Sequence, residues 1–181
     1  MHYVSVSKAC YSDLAPLSRA LGHDDYFAER FERQKNDQGA LFIAWLDGEP
    51  VGDLYLWLEP AEEYKIRRHL PDVALLTHLE VLPEHRNLGI GTRLIDAVEQ
   101  HVREFGFRRT ALAVVNDNHK AARLYRRLGY IDWGHGTLVC FATAKRPDGE
   151  PSVERELCYV LVKELQPIKS SRGRSSAILS N

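Results

Sequence analysis

Residues 73–106 constrain the fold more than any other part of the chain. The apolar run VALLTHLEVL is bounded by Asp72 and Pro83, and a polar loop then leads through Gly89 and Gly91 into a stripe of Leu94, Ile95, Val98 and Val102 that stops at Gly106. An apolar run of this length between turn signals reads as a buried strand, and the stripe reads as one face of a helix over residues 90–105. The segment RRTALAVVN repeats the strand pattern, and NHKAARLYRRLGY forms another helix, with Asn118 near its cap and Gly129 at its end. β-α-β units therefore run from residue 73 to about residue 130, and the chain is predicted to be α/β with a mixed sheet.

The other segments supply partners for that sheet. Tyr3, Ser5 and Ser7 alternate with Val4, Val6 and Lys8 as a short strand. Ser12 or Asp13 then caps a helix carrying Leu14, Leu17, Ala20 and Leu21, closed by Gly22, and a second helix runs from Asp24 or Asp25 to about Arg33. ALFIAWLD and PVGDLYLWLE flank Gly48 and Glu49 as a hairpin, after which the polar stretch PAEEYKIRRHLPD interrupts the pattern. LVCFATA and ELCYVLVKEL are the last strands, with a Pro-Asp-Gly turn between them. PIKSSRGRSSAILSN lacks a persistent apolar face, so residues 1–165 are predicted to form a single domain and residues 166–181 a disordered tail.

Charge and cysteine usage narrow the function classes. A formal net charge of -1 gives no global attraction to nucleic acid or to an anionic membrane surface. No run of about 18 uncharged apolar residues occurs, and the N-terminal MHYVSVSKACYSDL has no basic region leading into an apolar stretch. Cys10, Cys140 and Cys158 lie far apart, which predicts neither a disulfide framework nor a metal site. A cytoplasmic protein without membrane or nucleic-acid partners is expected.

Gly89 and Gly91 clear side chains from a backbone whose next helical turn offers unpaired N–H groups and a positive dipole end, so the natural occupant of the loop is a phosphate or pyrophosphate. A tight strand-to-helix turn is the plain alternative. A dinucleotide fingerprint would need a third glycine where Leu94 stands, and a nucleotide-triphosphate loop would need a Gly-Lys-Ser/Thr that is absent.

What remains is Arg86-x-x-Gly89-x-Gly91 after an apolar strand, and LEVLPEHRNLGIGTRLI resembles the strand-loop-helix motif of the GNAT superfamily of acyl-CoA-dependent N-acyltransferases. NHKAARLYRRLGY is similar to that family's second motif through Asn118, Ala121, Leu124, Tyr125, Gly129 and Tyr130, and the paired motifs cover residues 75–133. The resemblance implies a mostly antiparallel mixed sheet flanked by helices, with a splayed central strand pair that binds CoA. It implies that backbone groups of Leu79 and Val81 hold the pantetheine arm of acetyl-CoA, and that amides of Asn87, Leu88, Gly89, Ile90, Gly91 and Thr92 surround the pyrophosphate, with Arg86 shaping or contacting the loop. Asn118 would touch the pantetheine or hold the strand splay, and Tyr125 would stand near the thioester sulfur.

Acetyl transfer to an amine needs a neutral nitrogen, a polarised carbonyl and a proton for the departing thiolate. Tyr125 suits the last task as a phenolic donor. Glu80, an acidic residue in an apolar strand, is the candidate base, although simple alternation places it and His78 opposite Thr77, Leu79 and Val81 unless a bulge reverses the parity. Leu75 and Thr77 occupy the places where the family often carries its base, so a water relay stays open. Cys140 has no evident activating base, which favours direct transfer over an acyl-enzyme. Asp24, Asp25, Glu59, Glu62 and Glu63, with Tyr26, Phe27, Trp57 and Tyr64, are candidates for receiving a cationic amine acceptor. An N-acetyltransferase using acetyl-CoA is expected. A non-catalytic acyl-CoA sensor is the competing reading, a toxin acting on aminoacyl-tRNA has no support from charge, and a homodimer stays open.

Overall fold

The computed structural model describes residues 3–145 and 151–166. The predicted Pro-Asp-Gly turn and residues 167–181 of the predicted tail lie outside the described residues. The elements follow in the order β1 (Val4–Lys8), a single 3-10 turn (Tyr11–Asp13), α1 (Leu14–Leu21), α2 (Asp24–Lys35), β2 (Gly39–Leu46), β3 (Glu49–Trp57) and α3 (Tyr64–His69). Then come β4 (Ala74–Val81), a second 3-10 turn (Pro83–His85), α4 (Ile90–Glu104), β5 (Arg109–Val115), α5 (His119–Arg127), β6 (Ile131–Lys145) and β7 (Pro151–Glu164).

One seven-stranded sheet has the order β1-β2-β3-β4-β5-β7-β6. All neighbours are antiparallel except β4 and β5, the pair joined through the crossover helix α4. On one face the apolar stripe of α4, with Leu94, Ile95, Val98 and Val102, packs with Leu54, Leu56, Leu76 and Leu112. Leu17, Phe27, Phe31 and Ile66 from α1, α2 and α3 cover Leu41, Ile43, Tyr55 and Val160 on the other. Both faces of the central strands are thus buried, which is why β4 reads as a continuous apolar run rather than an alternating one.

Three local features depart from the sequence reading. The polar stretch before β4 contains α3, anchored by the buried Ile66, whose single apolar contact leaves no visible period. Asp13 does not cap α1 with its side chain; its carboxylate accepts from the Cys10 amide at 2.8 Å and closes the preceding 3-10 turn instead. β6 begins at Ile131, ahead of the predicted Leu138, because the strand continues across an irregularity between Asp132 and Thr137. Gly134 and Gly136 both take positive φ there, and the Trp133 indole donates to the Gly136 carbonyl at 2.7 Å.

Two features of β4 build the site. It pairs with β5 only through Ala74–Thr110 and Leu75–Ala111, so the strands part beyond Leu75 and the β5-facing backbone of the rest of β4 lacks a strand partner. Against β3, the pairs run from Tyr55–Thr77 to Asp53–Glu80, so three steps of β4 answer two of β3. This is a bulge, and His78 sits in it with φ 52°.

Candidate active site

The parting of β4 and β5 opens a cleft of about 1480 Å³. Thr77, His78 and Leu79 line one side, Ala113 and Val115 the other, and Tyr125 and Asn118 reach it from α5 and its cap. The Asn118 side chain accepts from the Ala121 amide at 3.1 Å, so its first role is to start α5 at the cleft edge. Tyr125 follows two turns later, nearly buried and edge-on to Tyr130 with ring centroids 5.7 Å apart. Burial pushes the Tyr125 phenol above its ordinary range, so the group stays protonated and is available as a donor.

The glycine loop lies between β4 and α4. Gly89 is the N-cap of α4 with φ 78°, and a Cβ placed on it would meet nothing within 4 Å. Asn87 also takes positive φ, at 63°. Gly91 differs: its Cβ would lie 3.5 Å from Leu124 and 3.8 Å from Leu79, so this position is where α4 packs closely on α5 and β4. Arg86 donates through Nε to the Val81 carbonyl at 2.9 Å, folding the loop back on the end of β4. Ile90 is buried and pins the loop to the core, while Leu88 is exposed and Thr92 half-buried.

The bulge answers the question of parity at Glu80. Directly paired residues share a face, so Glu80 and Thr77 lie with Asp53 and Tyr55 on the side covered by α2. His78 reaches the same cluster: its Nδ1 is 3.0 Å from Oδ2 of the fully buried Asp53, and its ring stacks on Tyr26 at 4.2 Å. Burial opposes protonation of His78, but the bond to Asp53 and the charges of Asp53 and Glu80 outweigh it, and the imidazole is raised above its ordinary value. Burial likewise raises Asp53, against the opposing pull of His78. Glu80 keeps 32% of its side chain exposed; its Oε2 lies 3.3 Å from Nε2 of His23 and 3.9 Å from Nε2 of His78.

Of the predicted acceptor residues, Asp24, Asp25, Tyr26 and Glu63 line the cleft. Glu59 is instead engaged by Arg33 at 2.6 Å and by Gln38 at 3.0 Å, Phe27 is core, and Tyr64 points outward at 66% exposure. Trp57 and Glu62 line a smaller recess of about 160 Å³ that adjoins the cleft at Thr77 and Ala113. His23, Asp53 and the place of His78 in the bulge are what sequence reasoning missed at this candidate site. Asp53 carried the one available signal, a carboxylate inside the apolar strand PVGDLYLWLE.

A family profile described as Acetyltransferase (GNAT) family matches residues 7–130. The chain belongs to the GNAT family. It is 32% identical over 105 residues to an N-alpha-acetyltransferase of Sulfurisphaera tokodaii, a match covering 55% of this chain and 60% of that protein. A mycothiol acetyltransferase of Paenarthrobacter aurescens is 25% identical over 131 residues, covering 72% of this chain and 39% of the relative. The matches therefore span less than two thirds of either curated relative. Among solved structures, the ribosomal-protein-S18-alanine N-acetyltransferase of Escherichia coli shares this GNAT fold with a TM-score of 0.63 and 16% identity, over 96% of this chain and 100% of that one. An Elizabethkingia anophelis GNAT acetyltransferase with acetyl-CoA bound matches with a TM-score of 0.57 and 15% identity, over 90% and 98% of the two chains.

Proposed function

We propose that this GNAT protein transfers an acetyl group from acetyl-CoA to a primary amine by direct attack. The observation that carries this reading is the cleft between the parted β4 and β5, with the Asp53-held His78 on one wall and the protonated Tyr125 on the other. The residues present fit acetyl-CoA. The β5-facing edge of β4 at Leu79 and Val81, which lacks a strand partner, suits the amides of a pantetheine arm, and the open space over Gly89 at the start of α4 suits a pyrophosphate. Asn87, Leu88, Ile90, Gly91 and Thr92 supply the remaining amides of that cradle, and Arg86 holds its shape through Val81.

The acceptor enters from the α2 side, where Asp24, Asp25 and Glu63 attract a cationic amine. That amine must lose a proton before it can attack. Asp53 fixes Nδ1 of His78 as the donor nitrogen, which turns the Nε2 lone pair into the acceptor for that proton. Glu80, with Oε2 3.3 Å from Nε2 of His23 and 3.9 Å from Nε2 of His78, stabilises the imidazolium that results. As the C–N bond forms and the C–S bond breaks, Tyr125 donates to the departing thiolate, and the second proton shed by the acylated nitrogen restores the phenol. Burial and the neighbouring Cys158 hold the Cys140 thiol protonated, so an acyl-enzyme on Cys140 is disfavoured. Turnover of acetyl-CoA over a chemically diverse amine panel, with products identified by mass spectrometry, tests the proposal. Acetylated amine is the expected product; CoA binding without turnover on any amine would establish the sensor reading instead.

A further inference from the structure

His23, His78 and Glu80 come from different parts of the chain, and their ligand-type atoms all lie within 4.8 Å of one another. Of the three separations, the two that involve Glu80 are already short, 3.3 Å to His23 and 3.9 Å to His78. Bonds of about 2.1 Å in a tetrahedral shell place neighbouring ligand atoms about 3.4 Å apart, so the cluster needs only a small closure of two side chains.

Both histidines are presented by backbone that costs energy. His23 has φ 63° at the N-cap of α2, and His78 has φ 52° in the bulge. Non-glycine residues seldom adopt such angles without a constraint that requires them. The two rings are also fixed against each other, edge to face at 5.3 Å, with Tyr26 stacked behind His78 and Phe27 edge-on to His23 at 6.1 Å.

A further carboxylate stands behind one of these rings. Asp53 is fully buried, engages Nδ1 of His78 through Oδ2, and has its Oδ1 without a hydrogen-bond partner. A buried carboxylate on the far nitrogen of an imidazole is the arrangement that fixes the tautomer and raises the basicity of a metal-ligating histidine. Glu80 and Asp53 together bring two negative charges to this corner, which a divalent cation would balance.

We propose that His23, His78 and Glu80 form a binding site for a divalent late first-row cation, with zinc as its principal ligand. Two imidazole nitrogens and one carboxylate oxygen suit zinc, cobalt or nickel, whereas magnesium and calcium call for oxygen ligands. The cation uses the same Nε2 lone pair of His78 that accepts the substrate proton in the reaction proposed above, so an occupied site is a closed one. That last consequence rests on the proposed function; the binding itself does not.

The test is therefore a binding measurement on the full chain, after chelator treatment and dialysis. Calorimetric titration with Zn²⁺ should give one site per chain, and titration with Co²⁺ should give visible d–d absorption with nitrogen ligation. His23→Ala should weaken Zn²⁺ binding by roughly tenfold or more, and Asp53→Asn by about 10- to 100-fold. His23 lies in a half-exposed turn, so its variant stays interpretable even if Asp53→Asn does not fold. His135→Ala, which breaks the stacked pair with His69 elsewhere on the surface, and Cys140→Ser should leave the affinity unchanged. Absence of saturable binding, or an affinity that survives His23→Ala, would overturn the site whatever the enzyme does with amines. If binding holds and acetyl transfer is also observed, Zn²⁺ should inhibit wild type at concentrations that spare His23→Ala.

Discussion

At single residues the proposed chemistry divides between one donor and one acceptor, and each has a variant that isolates it. Tyr125→Phe removes only a hydroxyl from a buried ring, so CoA affinity should hold while kcat falls by an amount corresponding to about 1–3 kcal/mol. Unchanged turnover in the folded variant would take Tyr125 out of the mechanism. His78→Gln and Glu80→Gln rank the two candidates for the proton. His78 lines the cleft and Glu80 reaches it through His78 and His23, so kcat/KM should fall by about a hundredfold or more for the first and by roughly tenfold for the second. The reverse order would return the base to Glu80. The place of Tyr125 at the cleft was legible because its motif puts it on a helix of regular period. His78 was not, because its position depends on a one-residue bulge that strand alternation does not encode.

At the level of elements, the glycine loop and helix α4 make separable demands. The two glycines look equivalent in the sequence, yet only Gly89 needs left-handed backbone, whereas a Cβ at Gly91 would make ordinary contact with Leu124 and Leu79. Gly89→Val should therefore cost about 1–2 kcal/mol in stability and weaken CoA binding at least tenfold, while Gly91→Ala, with only ordinary contacts to make, should keep the fold. Calorimetry with CoA and urea unfolding on each variant separate these effects; equal behaviour of the two would refute the distinction. Helix α4 also carries Glu99, which interrupts its apolar stripe. Its buried carboxylate accepts from Lys163 at 2.7 Å and from the Tyr130 hydroxyl at 3.0 Å, tying α4 to β7 and to the end of α5. Glu99→Gln should cost about 2 kcal/mol in urea unfolding, less than for a fully buried pair because Lys163 stays partly solvated. The local pattern of α4 offers Glu99 only Arg103, one turn on at 3.4 Å; its closer partners Tyr130 and Lys163 lie 31 and 64 residues away.

Across the whole molecule, the β-α-β units around the central crossover were readable from their spacing, and the contacts among His23, Asp53, His78 and Glu80 on the α2 side of the cleft were not. That side is assembled from β3, β4 and the turn before α2, and its contacts depend on a sheet register that no single segment specifies. The same dependence on tertiary placement governs how the fold responds to acid. His101, on α4, lies edge-on to Phe42 of β2 at 5.3 Å and beside Phe105 at 4.6 Å. Burial, with Lys8 of β1 adding a like charge and Glu104 opposing, lowers this histidine below its ordinary value of 6.5. The folded chain therefore binds fewer protons here than the unfolded chain. The contribution of His101 to stability is complete above about pH 6.5 and is lost as pH falls through its lower folded value. His101→Gln keeps a polar side chain at this place but cannot titrate, so its unfolding free energy should fall less than that of wild type between about pH 7.5 and about pH 5. Urea unfolding of both proteins at the two pH values provides the measurement. Parallel losses would show that the packing of His101 between β2 and the end of α4 does not exclude its proton, and that the acid response of the fold arises from other groups.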